Sequence, residues 1–330
     1  MIKTTVVGSY PVPTWLRVFS TQESLRDAML AVVKTQELAG IDLVADGELY
    51  RWDINHGETN GMIDYFVSRM EGVSRTLDSR QLAQWRAEPG NEFRAQPPGV
   101  VVAPLTGGTL NLQSDYELYA PLTTLPKKFT VTSPYMLAKM VADDHYANLE
   151  QLVMELAAVL NEQVKNIGAD VLQVDEANLT GNPGDAAIAA AGINRVFEGV
   201  STERAVHLCF GNYGGQTIQQ GTYKQLVDFL NSLEADHLVL EVARRPDVEL
   251  ELLTEVKETM GLGIGVIDIK DNEVESADVV ACRIEKAADL LGVERIHYVH
   301  PDCGFWMLSR SVSDRKMAAL VAGRDKFEGR

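Results

Sequence analysis

The chain has 330 residues, 45% of them hydrophobic and 23% charged, a globular composition with room for one large domain or two small ones. A formal net charge of -17 argues against nucleic acid or an anionic membrane as partner, and no apolar run approaches the roughly 20 residues that span a bilayer. Three cysteines, an odd number, argue against a disulfide framework, and residues 1–9 lack a signal-type apolar core, so a cytoplasmic protein is expected.

A first strand is predicted at 3–7 and runs into Gly8-Ser9. A second, at 41–46, ends in Asp46-Gly47-Glu48. About 80 residues then pass before the third, at 128–132, far more than an ordinary connection. This stretch is rich in glycine and proline (Pro89, Gly90, Pro97, Pro98, Gly99, Pro104, Gly107, Gly108) and holds one apolar run at 100–103. It reads as an insertion over 60–125, with a helical segment near 62–87 and a β-hairpin. Further strands follow at 170–175, ending in Asp175-Glu176, and at 205–209, carrying His207-Leu208-Cys209. The last three are 237–241, ending in Glu241, 263–268, ending in Asp268, and 295–300, followed by Pro301-Asp302-Cys303. Segments of helical period at 147–167, 222–233 and 275–291 lie between them.

Eight strands alternating with helices predict an α/β fold, a (β/α)8 TIM barrel with an insertion between strands 2 and 3, in one catalytic domain covering 1–330. An open doubly wound sheet would want a glycine-rich phosphate turn after the first strand; Gly8-Ser9-Tyr10-Pro11-Val12-Pro13 is not one.

Barrel active sites form at the C-terminal ends of the strands, where the chemically able residues of this sequence collect. His207 and Cys209, two apart, share one face of a strand. Glu241 and Cys303 stand at two other strand ends. Imidazole, two thiolates and a carboxylate suit tetrahedral Zn2+. Their scatter over three strand ends, rather than in close cysteine pairs, suits a working site. Cys282 reads as a mid-helix residue on an apolar face. His56, His145, His237 and His297 read as solvated or satisfied scaffold histidines. The plain reading of Asp175-Glu176 is a solvated turn; the functional one is an acid placed to hold an ammonium group. Asp302 is a candidate for supporting Cys303 by hydrogen bonding.

The segments TTVVGSYP, DLVADGE, MIDYF, VTSP, VLQVDEA, HLC, LVLE, GVIDI and HPDCG occur in an order that resembles the catalytic half of cobalamin-independent methionine synthases, over nearly the whole chain. The resemblance implies a (β/α)8 barrel, a catalytic zinc, and methyl transfer to the sulfur of homocysteine. It implies zinc ligands at His207, Cys209, Glu241 and Cys303, and homocysteine-binding positions at Gly8, Ser9, Glu48 and Asp175. Lys270 stands where the family carries a histidine after the seventh strand, and is a candidate catalytic position with Glu48 and Asp175. The second, N-terminal barrel of full-length members has no counterpart in these residues, and FGNYGGQ after the first two ligands is closer to short, single-barrel relatives. The methyl donor is therefore expected to be a methyl-corrinoid, free or on a carrier protein, with methyl-tetrahydrofolate as the other choice. Competing readings are an epoxyalkane–coenzyme M transferase, disfavoured because a sulfonate thiol wants cations where Glu48 and Asp175 stand, a zinc-free uroporphyrinogen decarboxylase-like barrel, and a regulatory barrel with a vestigial metal site.

Overall fold

The computed structural model describes residues 1–54, 61–87, 94–212 and 216–330. Eight parallel strands form one curled sheet: β1 (Lys3–Thr4), β2 (Val44–Ala45), β5 (Lys127–Thr132), β7 (Val171–Glu176), β8 (Glu203–Leu208), β9 (His237–Leu240), β10 (Gly261–Ile267) and β11 (Ile296–Pro301). Their spatial order is β1-β11-β10-β9-β8-β7-β5-β2. An isolated parallel bridge joins Thr5 to Leu43, so the two ends of that order meet. The arrangement is TIM-barrel-like.

Helices between the strands bury one face each. Asn148 caps the helix Leu149–Val164 by accepting from the Gln151 N–H at 2.9 Å. Leu152, Val153, Leu156, Leu160 and Val164 then fall at helical spacing and are buried. Each such side chain contributes about 1.5–3 kcal/mol by leaving water. The helix Ala277–Leu291 buries Val280, Ile284, Ala287 and Leu291 in the same way. Cys282 lies between two of those positions and is exposed, because the 3.6-residue period turns it away from the core. The apolar setting expected for it is corrected accordingly.

Inside the strands the period-2 alternation sends a second set of residues inward. Val7, Leu43, Val171, Ala205, Val239 and Tyr298 pack together as a small cluster of their own. Polar side chains continue the same inward rows. Lys128 is fully buried and donates to the Val6 carbonyl at 2.6 Å. Burial pulls its pKa down to about 7, against the pull of Asp175, Glu203 and Glu48.

Between β2 and β5 the chain forms the helices Asp64–Val67 and Ser79–Ala87 and the strands β3 (Glu71–Ser74) and β4 (Val100–Thr106). β3 and β4 pair antiparallel, and β6 (Ala142–Asp143), beyond β5, joins β4 in parallel. The helix expected over 62–87 is thus broken. Pairing of Val73 with Val101 outweighs the helical period there, and Gly72, at φ 92°, passes so close to the Pro104 carbonyl that a Cβ would lie 2.5 Å from it. Pro89, Gly90 and His56 lie outside the described residues. Among the described residues no helix is long and apolar enough to cross a membrane.

Candidate active site

The register of the sheet sets Asp175 of β7 beside His207 of β8, and His207 beside Val239 of β9. His207 Nδ1 lies 2.8 Å from the Val239 carbonyl, which makes it the protonated nitrogen. Its Nε2 is buried without a hydrogen-bond partner among the described residues. Cys209 follows β8 on the same face, and Cys303 follows β11. The donor atoms of His207, Cys209 and Cys303 all lie within 4.8 Å of one another, and the two sulfurs are 3.8 Å apart.

The electrostatics of the three are linked. The neighbouring Cys209 thiol and His207 hold Cys303 well below the ordinary thiol range, although burial opposes them. Cys303 and burial push Cys209 well above it. The pair therefore gives up its first proton readily and its second reluctantly. Burial works against the charged form of His207, but Cys303 and Asp175 beside it displace its pKa upward.

These residues fit a zinc ion. Sulfur–zinc bonds of about 2.3 Å at the tetrahedral angle place two sulfurs about 3.8 Å apart. An orphaned, buried Nε2 whose tautomer is fixed from behind is the usual form of a histidine ligand. Glu241, expected as the fourth ligand, is not within the group. It follows β9, its Oε1 lies 2.5 Å from Lys270 Nζ, and its Oε2 accepts from the Phe210 N–H at 3.1 Å. Asp302 accepts from the amides of Val242, Ala243 and Arg244 at 2.9, 2.8 and 3.1 Å, tying the residue before Cys303 to the loop after Glu241.

A cavity of about 120 Å3 opens over this group, lined among others by Ser9, Glu48, Asp175, His207, Cys209, Cys303 and Trp306. Glu48 reaches it from a left-handed backbone, φ 57°, after Gly47 at φ 77°. A Cβ on Gly8 would meet Glu48 Oε1 at 2.2 Å, so the missing side chain leaves room for that carboxylate where it lies. Ser9 is held by its carbonyl, which accepts from Phe305 N–H at 2.8 Å. Arg51 NH1 lies 3.0 Å from Glu48 Oε2, and Thr130 Oγ1 donates to Glu48 Oε1 at 2.8 Å. Asp175 has a neutral partner instead, Gln173 Nε2 at 2.6 Å. Burial and the Glu48 charge raise its carboxyl to about 7, while His207, Gln173 and Arg51 oppose them. Asp175 and Glu176 are 3% and 0% exposed, so they form no solvated turn. Glu176 Oε1 accepts from the Asn178 and Leu179 amides, and its burial raises its pKa.

Arg51, Thr130 and Gln173 were not singled out from the sequence. Two signals point to them. Arg51 sits three residues after Glu48, and Thr130 and Gln173 share the inward phase of their strands with Lys128 and Asp175. His237 is buried with Nδ1 2.8 Å from Glu203, whereas His145 and His297 are exposed.

A TIM-barrel-like sheet with a His–Cys–Cys group and two acids at its C-terminal mouth defines a barrel protein with a thiol-bearing, metal-competent site. The family described as the cobalamin-independent synthase catalytic domain matches residues 2–323, and the chain belongs to that family. The methionine synthase of Thermococcus kodakarensis is 29% identical over 98% of this chain and 92% of its own length. That of Saccharolobus solfataricus is 27% identical, over 98% and 94%. A solved B12-independent methionine synthase from a Shewanella species, in complex with selenomethionine, superposes with a TM-score of 0.82 at 26% identity, covering 100% of this chain and 98% of that one. A methyltransferase from Methanosarcina mazei, TM-score 0.60 at 13% identity, shares the fold.

Proposed function

We propose that the chain is a zinc-dependent methyltransferase that transfers a methyl group to the thiol of homocysteine and forms methionine. The observation that carries this is the placement of His207, Cys209 and Cys303 within 4.8 Å of one another, facing a cavity walled by Glu48 and Asp175. Bound Zn2+ supplies one thing, a substrate thiol kept as thiolate at neutral pH, where a free thiol of pKa about 8.5 is mostly protonated. His207, Cys209 and Cys303 hold the ion, with Glu241, the fourth ligand implied by the family, beside them on Lys270.

The other residues bind and orient. Asp175 takes the substrate ammonium, because its carboxylate has only a neutral partner. Glu48 faces the same ammonium with part of its charge already answered by Arg51. The Gly8-Ser9 segment receives the carboxylate. Buried at the C-terminal mouth of the barrel, these groups fix the amino acid so that its sulfur meets the methyl group from one direction. The segment over 60–125 is read as an insertion at the rim, where the donor approaches. A corrinoid donor draws no support from relatives described as cobalamin-independent; it rests on the charge of -17, which opposes a folate polyglutamate. A site that needs two reduced thiols belongs in a reducing compartment, here the cytoplasm.

The test is methionine formation by the zinc-loaded chain from homocysteine with methylcobalamin or with methyl-tetrahydrofolate mono- and triglutamate. Turnover with either donor supports the reading, and the faster donor names itself. No methionine from any of them, with zinc bound, overturns it.

A further inference from the structure

Resting on that zinc–thiol reading, we propose that Lys270 holds Glu241 off the metal, so that the protein supplies three donors and the remaining position is free for the substrate thiol before it arrives. The ion pair is buried, with side chains 2% and 1% exposed, and Nζ and Oε1 are 2.5 Å apart. The other carboxylate oxygen accepts from the Phe210 amide at 3.1 Å. The backbone of Glu241 is gripped as well. Tyr223 OH donates to its carbonyl at 3.1 Å, and Asp302 holds the three amides that follow.

Lys270 is delivered by a supported loop. Its N–H donates to Asp268 Oδ1 at 2.8 Å. The fully buried Lys316 ties that loop together, donating to the Asp268 carbonyl at 2.9 Å, to the Glu273 carbonyl and to Glu275 Oε2 at 2.8 Å. An oxygen already bound to an ammonium in a site shielded from water is a poor donor to a second cation, because the two cations repel through the shared atom. The cavity agrees: His207, Cys209 and Cys303 line it, and neither Glu241 nor Lys270 does. Lys270 is in this sense a positioning residue. It acts through Glu241 and spares the incoming thiol the displacement of a carboxylate.

The sign of one effect decides the matter. Zinc affinity of the intact chain is measured by competition with a chromophoric chelator, and thiol binding by the sulfur-to-metal absorption of the Co2+-loaded form. Lys270→Met keeps the bulk and removes the charge. It is expected to release Glu241 onto the metal, raising zinc affinity by about tenfold or more and weakening homocysteine binding by a similar factor. Lys270→Arg should stay close to the wild type. In a Glu241→Gln background the Lys270→Met change should move zinc affinity by less than about threefold, since no carboxylate is left to release. If Glu241 is instead a resident ligand, Lys270→Met removes only an outer support, and zinc affinity falls or stays level; either result overturns the proposal. So does a loss of about 100-fold or more in zinc affinity from Glu241→Gln alone, a readout that does not depend on the lysine variants folding. A wild-type chain that binds no zinc overturns this proposal and the zinc–thiol reading together, whereas any of the other negative results leaves the latter standing.

Discussion

Neutralising Asp175 separates substrate binding from metal binding. Asp175→Asn keeps the shape, and its amide oxygen still accepts from Gln173, so the local packing survives. What is lost is the charge. Glu48 cannot replace it, because Arg51 occupies one of its oxygens and Thr130 the other. One charge-assisted hydrogen bond to an ammonium is worth about 1.5–3 kcal/mol, which is about 10- to 150-fold in affinity. Asp175→Asn should therefore raise the homocysteine KM, or its Kd by calorimetry, by a factor in that range. Zinc content should be unchanged, since Asp175 is not among the three clustered donors. A change of less than about threefold with zinc intact would refute the assignment of the ammonium to Asp175. Loss of zinc together with affinity would place Asp175 in the support of the metal site instead.

Cys303→Ser should lower zinc content sharply, whereas the exposed Cys282→Ser should leave it near one per chain; equal retention in the two variants would remove the metal assignment. Glu48→Gln leaves the Arg51 guanidinium buried without its counter-charge and should cost about 3–5 kcal/mol of stability in denaturant unfolding, with part of the loss recovered in a Glu48→Gln/Arg51→Met double variant. Homocysteine binding should weaken as pH falls. The Asp175 carboxyl, raised to about 7 in the free site, must be ionised to hold an ammonium, so affinity should drop by up to about tenfold per unit below that value, and Asp175→Asn should flatten this limb. The same shift has the opposite sign for folding: a carboxyl raised above its unfolded value of 3.8 favours the folded chain at low pH, and that contribution fades as pH rises from 3.8 to about 7. An Asp175→Asn chain whose stability keeps the wild-type slope across this window would show that another group titrates there.

Much of this site was legible because its parts obey local rules. His207 and Cys209 share a face by strand period, and the acids and Cys303 stand where strands end, which is where a barrel mouth must be. Less local features were hidden. Whether Glu241 faces the metal or a lysine depends on Lys270, 29 residues further on and carried by a loop that Lys316 ties down. The break in the helix over 62–87 comes from a partner strand at Val100–Thr106, which no window around residue 73 contains. Cys282 misled for a simpler reason: apolar neighbours in sequence are not neighbours on a helix face, and a single step of the period separates buried from exposed. The inward polar residues Thr130 and Gln173 were present in the alternation, but a buried polar group declares itself only once its partner is known.

The closure of the ring by one bridge also bears on how the molecule breathes. β1 and β2 are two residues each; one backbone bridge, Thr5–Leu43, joins their segments, helped by side-chain hydrogen bonds of Thr4 and Thr5 to Asp42 and Leu43, whereas β7 and β8 share six register pairs. This junction is where the wall of the barrel opens at least expense, and its amides should be among the first of the sheet to exchange with solvent. The chain leaves β1 at Gly8-Ser9 and leaves β2 at Glu48, so the two sides of the junction end in the two halves of the proposed amino-acid cradle. A substrate seated there would span the gap like a rivet, and hydrogen exchange at Leu43, whose N–H donates across the junction to the Thr4 carbonyl at 3.1 Å, would register its arrival from the far side of the wall.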